Sequence, residues 1–591
     1  MCGFSGYFCL NKNYVNNKIN TWPLDHRGPD DFQTFRNDFI KVNFYRLKIL
    51  GGHHGRQPMI SENKRWMIVF NGEIYNYIEL AQEMKRPDLI KKGDTRVLLE
   101  LLALKGMKAV KKINGMFSIV LFDLRKKKIF LIRDRFGTKP LYYKIEKNIL
   151  YFGSEIKSLP LNDTNKINLI NFREYIDSKL YPETPHTFFR NIYEIKPGTI
   201  NELKQKKLKS IKYYSLEKNL KKLRNKNISI LDFEKNFENS LKLRLRSDVP
   251  LSLHFSGGID STAIICKLKE MFGSKIPLKL YFIKYQNRIN SELVRARKIC
   301  KLLKLKLNEV SFQDNELKKM SKEIQFFMDE PFGGVPTIGM GKLNKFQKNK
   351  IPVSLEGQGS DEIFCGYYTH IIMALRDMIN NKKDKKIFFK LKKNFKINNK
   401  KILNLSSLLI KNNFGGSTDG SNISLSKKKF VVKKTFLRSI ELFNIQRNKL
   451  PRVLRFHDRV SAGYSRELRF PFLDHNVVEI ALSLKNEDKF KDGYPKYPLF
   501  KIIERHLPIK LFQIKKISDG VPQLEIIKKN KFWMNKILKI IKSKNTLNGQ
   551  FIESVEKTLK NNKSKNSFHV WQLLNTYLFN NHIKNLKKNN K

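Results

Sequence analysis

At 591 residues the chain is longer than one hydrophobic core usually organises, so two or three domains are expected. A 41% hydrophobic share supports a globular fold, and five cysteines (Cys2, Cys9, Cys266, Cys300, Cys365) without a C-x-x-C pair exclude a disulfide framework and suit a reducing cytoplasm. The formal charge of +62 would suit a nucleic-acid binder, but the lysines run through the whole length among Asn, Ile and Phe, so most of them are read as solvated surface rather than a polyanion site.

Residues 2–200 carry short apolar runs punctuated by glycine: RWMIVFNGEIYNY (65–77), GMFSIVLFDLRKKKIFLIRDRFGTKPLYY (115–143) and ILYFGSEIKSL (149–159). Such runs between turns predict antiparallel sheets, with helices such as 95–105 packed on them. A turn at KPGTI (196–200) and a lysine-rich stretch predict a linker over 201–230. Residues 231–591 then alternate strand and helix. VPLSLHF (249–255), PLKLYFIKY (277–285) and LNEVSF (307–312) read as strands, and 261–272 and 291–304 as helices. That alternation implies a parallel sheet with ligands at the carboxyl ends of its strands. A Lys- and Asn-rich insertion is expected over about 369–434, partly helical. The longest apolar runs, such as MFSIVLF, fall far short of the ~18 residues that span a bilayer, so no membrane partner is expected.

Two places carry chemistry. Once the initiator methionine is removed, Cys2 joins a thiol (pKa about 8.5) to an α-amine (about 7.7 to 8.0), so one residue can be both nucleophile and base. A buried structural cysteine is the alternative. In SGGIDS (256–261), paired glycines after a strand expose backbone N–H groups at a helix N-terminus, a ready anion site; a plain turn capped by Ser256 is its alternative.

Together with Cys2, the segments HRGPDD (26–31), YRLKIL (45–50), RQP (56–58), FNGEIYNY (70–77), GDT (93–95) and RDRFGTKPLYY (133–143) resemble, in order, the class II glutamine amidotransferase domain. The resemblance implies an αββα N-terminal-nucleophile hydrolase sandwich. In it Cys2 attacks the side-chain amide of glutamine, and Asn71 with the backbone N–H of Gly72 holds the oxyanion. Arg46 clamps the α-carboxylate, and Glu73 and Asp94 hold the α-ammonium. Glutamate and ammonia leave.

SGGIDS followed by DEPFGG (329–334), LEGQGSDEIFCGYY (355–368), SRELRFPFLDHNVVE (465–479), KYPLFK (496–501) and ISDGVP (517–522) resembles the synthetase domain of the glutamine-hydrolysing asparagine synthetases, an ATP-pyrophosphatase fold. The resemblance implies that Ser256, Gly257, Gly258 and Ser261 hold the phosphates of ATP and that Asp260 and Asp361 bind Mg²⁺. Backbone at His254, Ile283, Glu356 and Gly357 would line the adenosine pocket, and Lys496 would neutralise charge developing during adenylation. Gln358 and Arg469 would border the acyl-adenylate, with Asp474 in the same wall; a structural Arg469–Asp474 pair is the alternative. Ammonia would then convert aspartyl-adenylate to asparagine and AMP. The family usually reads G-E-G where this chain has GQG, and Gln358 can take no proton. Amidation of another carboxylate, on a sugar or a peptide-like metabolite, is therefore the competing expectation, and a non-catalytic basic binding protein is a third. Substrates are expected to be small molecules; a homodimer is left open.

Overall fold

In the strand IKVNFYR, Ile40, Val42 and Phe44 are buried while Lys41, Asn43 and Tyr45 are half-exposed, the period-two pattern of a strand with one face on a core. Among the described residues twelve strands build the first half: β1 (Gly3–Cys9), β2 (Asp31–Arg36), β3 (Ile40–Arg46), β4 (Met59–Ile60), β5 (Trp66–Ile74), β6 (Gly115–Asp123), β7 (Lys128–Arg133), β8 (Tyr142–Glu146), β9 (Ile149–Gly153), β10 (Tyr193–Glu194), β11 (Thr199–Lys204) and β12 (Lys207–Lys212). They form two six-stranded sheets, ordered β10-β8-β9-β1-β3-β2 and β12-β11-β7-β6-β5-β4, with antiparallel pairing. Phe4, Phe8, Val42 and Phe44 of the first meet Met67, Val69, Val120 and Phe122 of the second in one core. The other face of the second sheet, Ile68, Phe70, Ile119 and Leu121, shares a core with Val97, Leu98, Leu101 and Leu102 of the helix Asp94–Lys105. β5 and β6 are thus covered on both faces, which is why they read as nearly continuous apolar runs. Each such side chain contributes about 1.5 to 3 kcal/mol on burial.

This computed structural model describes residues 2–10, 22–161, 166–285, 291–379, 381–411, 435–512, 523–542, 549–561 and 567–589. Its second half is built on β13 (Leu251–His254), β14 (Leu278–Tyr285), β15 (Leu307–Phe312), β16 (Val353–Leu355) and β17 (Glu467–Arg469). All pair in parallel, in the order β15-β14-β13-β16-β17, with the helices Ile259–Phe272 and Ser291–Leu303 as crossovers. From β13 the chain steps outward to β15 and then returns to place β16 on the other side of β13. The carboxyl ends of β13 and β16 therefore flank the switch point where such sheets bind ligands. The architecture is the expected one, an antiparallel sandwich followed by a parallel α/β sheet with helical additions.

Two segments depart from expectation. Residues 201–212, expected in a linker, form the β11–β12 hairpin at the edge of the second sheet, because Ile200 to Glu202 pair with β7. In the insertion, the helices Tyr368–Met378, Lys385–Phe395 and Asn399–Lys411 pack on a core of their own that includes Met373, Phe388, Leu391 and Ile402. The rest of that insertion, 412–434, and the motif ISDGVP at 517–522 lie outside the described residues.

The halves meet through buried ion pairs. Arg27, held by Glu155 (2.9 Å) within the first half, donates across to Asp458 (3.0 Å), Lys157 pairs with Asp329 (3.3 Å), and Arg455 pairs with Glu194 (3.1 Å). Desolvation offsets most of the Coulomb gain of such pairs, so they fix the register of the interface more than they stabilise it.

Candidate active sites

The first site lies where β1, β3 and β5 converge. Cys2 sits at the start of β1, its thiol 3.9 Å from the Leu47 carbonyl, while Arg27 Nε donates to the Cys2 carbonyl at 3.1 Å. Burial pushes the thiol up, against the pull of the chain's terminal amine, the Leu47 contact and Arg46. A thiol held that way needs a proton acceptor beside it before it can attack. Asn71, on β5, is fully buried, and neither its Oδ1 nor its Nδ2 has a hydrogen-bond partner among the described residues. Leaving buried polar groups so costs about 1 to 3 kcal/mol each, which is the mark of an amide kept for a group other than protein. Gly72 follows at φ +148°, and a Cβ there would stand 1.9 Å from the Met116 carbonyl, so only glycine fits.

Arg46, at the end of β3, donates through Nη2 to the carbonyls of Leu50 (3.4 Å) and Gly52 (2.5 Å), and its buried Nη1 has no hydrogen-bond acceptor among the described residues. Half of a planar fork is thereby fixed and the other half can meet a carboxylate. Glu73 is buried 3.5 Å from Arg469 Nη2. Asp94 heads the helix Asp94–Lys105 and accepts from the Ile74 N–H at 3.0 Å. Burial raises both carboxyls, with Glu467 adding to the rise, and Asp94 reaches about 6.

That rise fixes the sign of a pH effect. Between the ordinary 3.8 and about 6 the folded state binds the Asp94 proton more tightly than the unfolded chain does. Folding stability therefore falls as pH rises through this window. An ammonium ligand needs the carboxylate and binds best above it. With Asp94 in the role the resemblance implies, holding the α-ammonium of glutamine, the KM for glutamine should climb, by up to about tenfold per pH unit, as pH drops below about 6. Asp94→Asn should raise KM at neutral pH and flatten that limb in glutaminase assays. A wild-type KM unchanged across the window would contradict the assignment.

The second site lies at the carboxyl end of β13. Gly258 caps the helix Ile259–Phe272 and its N–H meets Ser256 Oγ at 3.2 Å, while Ser256 and Ser261 hydroxyls lie 3.3 Å apart. Lys496 Nζ is held by Asp260 (2.6 and 2.8 Å) and by Asp361 Oδ1 (2.6 Å), which keep its ammonium well above the ordinary lysine range despite burial. Ser360 Oγ donates to Asp260 at 2.7 Å. A Cβ on Gly366 would come within 1.8 Å of Asp361 Oδ1 and 2.6 Å of Lys496 Cε, so that glycine makes room for the cluster. The GQG turn packs against the same loop, since a Cβ on Gly357 would meet Asp260 Cβ at 2.8 Å.

Ser256, Gly257, Gly258, Asp260, Ser261, Asp361 and Lys496 thus lie together, with Ile283 two residues beyond the β13–β14 pairing at Tyr281. Arg469 departs from expectation. It is fully buried and its guanidinium contacts Glu467 (2.8 Å), Glu73 and the carbonyls of Arg244 and Arg246, so it turns toward the first site. Nor does it pair with Asp474, which takes Arg244 (3.0 Å), Asn114 (2.7 Å) and the N–H of Asn476. Glu356 and His254, expected to act through their backbone, also join through their side chains: His254 Nδ1 lies 2.6 Å from Glu356, whose other oxygen lies 2.5 Å from His457 Nδ1. Neither this use of His457 nor the bridge from Arg27 to Cys2 has a local sequence signal; the contacts span 101 and 25 residues.

A family model described as a glutamine amidotransferase domain matches residues 1–214, and one described as asparagine synthase matches residues 232–581, more than half of the chain. The chain belongs to the asparagine synthase family. Among its asparagine synthase relatives, glutamine-hydrolyzing asparagine synthetase 1 of Bacillus subtilis (strain 168) is 27% identical over 97% of this chain and 95% of its own length. Glutamine-hydrolyzing asparagine synthetase 2 of the same organism is 30% identical over 77% of this chain and 62% of its own. A solved structure titled as the allosteric regulatory enzyme of purine biosynthesis overlaps 52% of this chain and 80% of its own, at 13% identity and a TM-score of 0.26.

Proposed function

We propose that this member of the asparagine synthase family hydrolyses glutamine at Cys2 and uses the ammonia for ATP-dependent amide synthesis at the second site, with aspartate as the carboxylate and asparagine, glutamate, AMP and pyrophosphate as products. One observation carries the reading: the two constellations share an interface. Arg27 contacts both the Cys2 carbonyl and Asp458, and Arg469 joins Glu73 to the end of β17, where its carbonyl accepts from the Glu356 N–H at 3.0 Å.

In this reading, residues 2–200 act as the glutaminase. The amine of Cys2 takes the thiol proton, Asn71 Nδ2 and the Gly72 N–H receive the oxyanion, Arg46 Nη1 meets the α-carboxylate, and Glu73 and Asp94 hold the α-ammonium. Donors aimed at the oxyanion are worth about 2.7 to 4 kcal/mol each. Residues 231–591 act as the synthetase. Ser256, the loop N–H groups and Ser261 hold phosphate oxygens, with the base beyond the ends of β13 and β14.

The donor set at Asp260 and Asp361 suits Mg²⁺: two hard carboxylates already converge on one cation, the Lys496 ammonium, and the phosphates of ATP would supply further oxygens. Such an ion would neutralise the pyrophosphate as it leaves. Lys496, displaced toward the phosphates, would add its own charge there. No helix among the described residues is long and apolar enough to cross a membrane.

Gln358 favours a second acceptor, since the position lacks the family's usual carboxylate. A panel of carboxylic acids that includes aspartate, scored by pyrophosphate release with ATP and glutamine, decides between them. Turnover with aspartate supports asparagine synthesis. Turnover with a different acid alone would keep the reaction class and replace the substrate.

A further inference from the structure

We infer that His457, oriented by Glu356, is the general base that takes the proton released when ammonia attacks the acyl-adenylate, the task that Gln358 cannot perform. The inference rests on the reading of the second site as an amide-forming one.

His457 lies in the helix Lys449–Gly463, and its Nδ1 meets Glu356 Oε2 at 2.5 Å, which fixes the ring and leaves Nε2 without a hydrogen-bond partner among the described residues. The ring is 16% exposed. A carboxylate behind one imidazole nitrogen and an open second nitrogen is the arrangement that makes histidine an efficient proton acceptor, because the carboxylate selects the tautomer and stabilises the imidazolium. His254, on the other oxygen of Glu356, differs: its Nε2 is occupied, with Gln347 Oε1 at 3.1 Å and Arg466 Nη1 at 3.4 Å, so neither of its nitrogens is open.

The charged and titratable groups around His457 are Glu356 from the end of β16, His254 from β13 and, beyond His254, Arg466, whose Nη1 is 3.4 Å from His254 Nε2. Asp458, next in the helix, is turned away to Arg27 and Lys139. The apolar ring of Phe470, in the RFPFLD wall, lies 6.2 Å off.

Position supports the role. Glu356 is two residues before Gln358 and one before Gly357, which packs on Asp260. In the other direction, Asp458 contacts Arg27, and Arg27 contacts Cys2. The Glu356–His457 pair thus links the segment that carries Gln358 to the helix segment that reaches Arg27. The new bond joins nitrogen to the acyl carbon; the bond from that carbon to the phosphate oxygen breaks, and AMP departs with its electron pair. The surplus proton on nitrogen passes to His457 Nε2 and then to solvent at the exposed ring edge.

His457→Gln tests this, with ATP, aspartate and either glutamine or ammonium supplied. Glutaminase kcat and the first-turnover burst of aspartate-dependent pyrophosphate should stay within about twofold, whereas conversion of the acyl-adenylate so formed to amide should slow by about 10²-fold with both donors, the usual scale of a lost general base. The acid limb of wild-type amide formation should vanish from the variant's profile, and imidazole should restore part of the rate to His457→Ala. An unchanged rate of that conversion and an unchanged pH profile would overturn the assignment. If the variants fail to fold, the wild type decides: single-turnover conversion of pre-formed acyl-adenylate to amide, at saturating glutamine, that does not slow on acidification overturns it equally. Absence of amide from the wild type with every acid in the panel would instead refute the parent reading.

Discussion

Cys2→Ala should abolish glutamine-dependent amide synthesis while leaving ammonia-dependent synthesis within about twofold of wild type. Loss of a covalent nucleophile typically costs on the order of 10⁴- to 10⁶-fold. Alanine keeps the backbone carbonyl that receives Arg27, so the bridge to Asp458 and the second site should survive the change. The thiol is only part-buried and has one weak contact, with Leu47, so stability should change by about 1 kcal/mol at most. Parallel assays of glutamate and pyrophosphate production with each nitrogen donor measure both arms. Equal loss with glutamine and with ammonium would refute separate sites. Mass spectrometry of the wild type should find a chain beginning at Cys2, since in the proposed reading the amine of that residue takes the thiol proton.

The sandwich and the parallel sheet were legible because both rest on local periodicity. β3 alternates, β5 and β6 are covered on both faces, and β13 is a short apolar run ending in a glycine turn. The residues of SGGID and NGE were legible for a related reason: a tight turn or a close backbone approach demands glycine at fixed spacing, as at Gly72. What escaped is what depends on direction. Arg469 sits in a recognisable motif, but whether a side chain at the end of β17 turns toward the adenylate or across the interface is decided by Glu73 and Glu467, one of them nearly 400 residues away. The lysine-rich stretch after residue 200 looked like a linker because its charges face solvent. Its backbone nonetheless pairs with β7, and pairing needs only alternate apolar positions such as Ile200 and Leu203. His457 escaped because a lone histidine in a helix is silent until Glu356 is beside it.

Asp260→Ala should stop release of AMP and pyrophosphate, by about 10³-fold or more, while glutaminase persists. Asp260 is one of the two carboxylates that hold Lys496, and its removal leaves the ammonium paired with Asp361, so no buried cation is stranded and the fold should endure. Lys496→Met acts in the opposite sense on stability. It leaves Asp260 and Asp361 facing one another without the cation between them, and mutual repulsion would raise their affinity for protons. Breaking one side of a fully buried pair costs about 3 to 5 kcal/mol. Here the carboxylates are about a quarter exposed, so the cost belongs below that range. Mg²⁺ should restore part of the lost stability to Lys496→Met by taking the ammonium's place between the carboxylates, whereas it should do little for Asp260→Ala. Thermal unfolding of the two variants with and without Mg²⁺ measures that difference independently of turnover. AMP release by Asp260→Ala at the wild-type rate would remove Asp260 from the adenylation site, and with it the reading of SGGID as the loop that holds pyrophosphate.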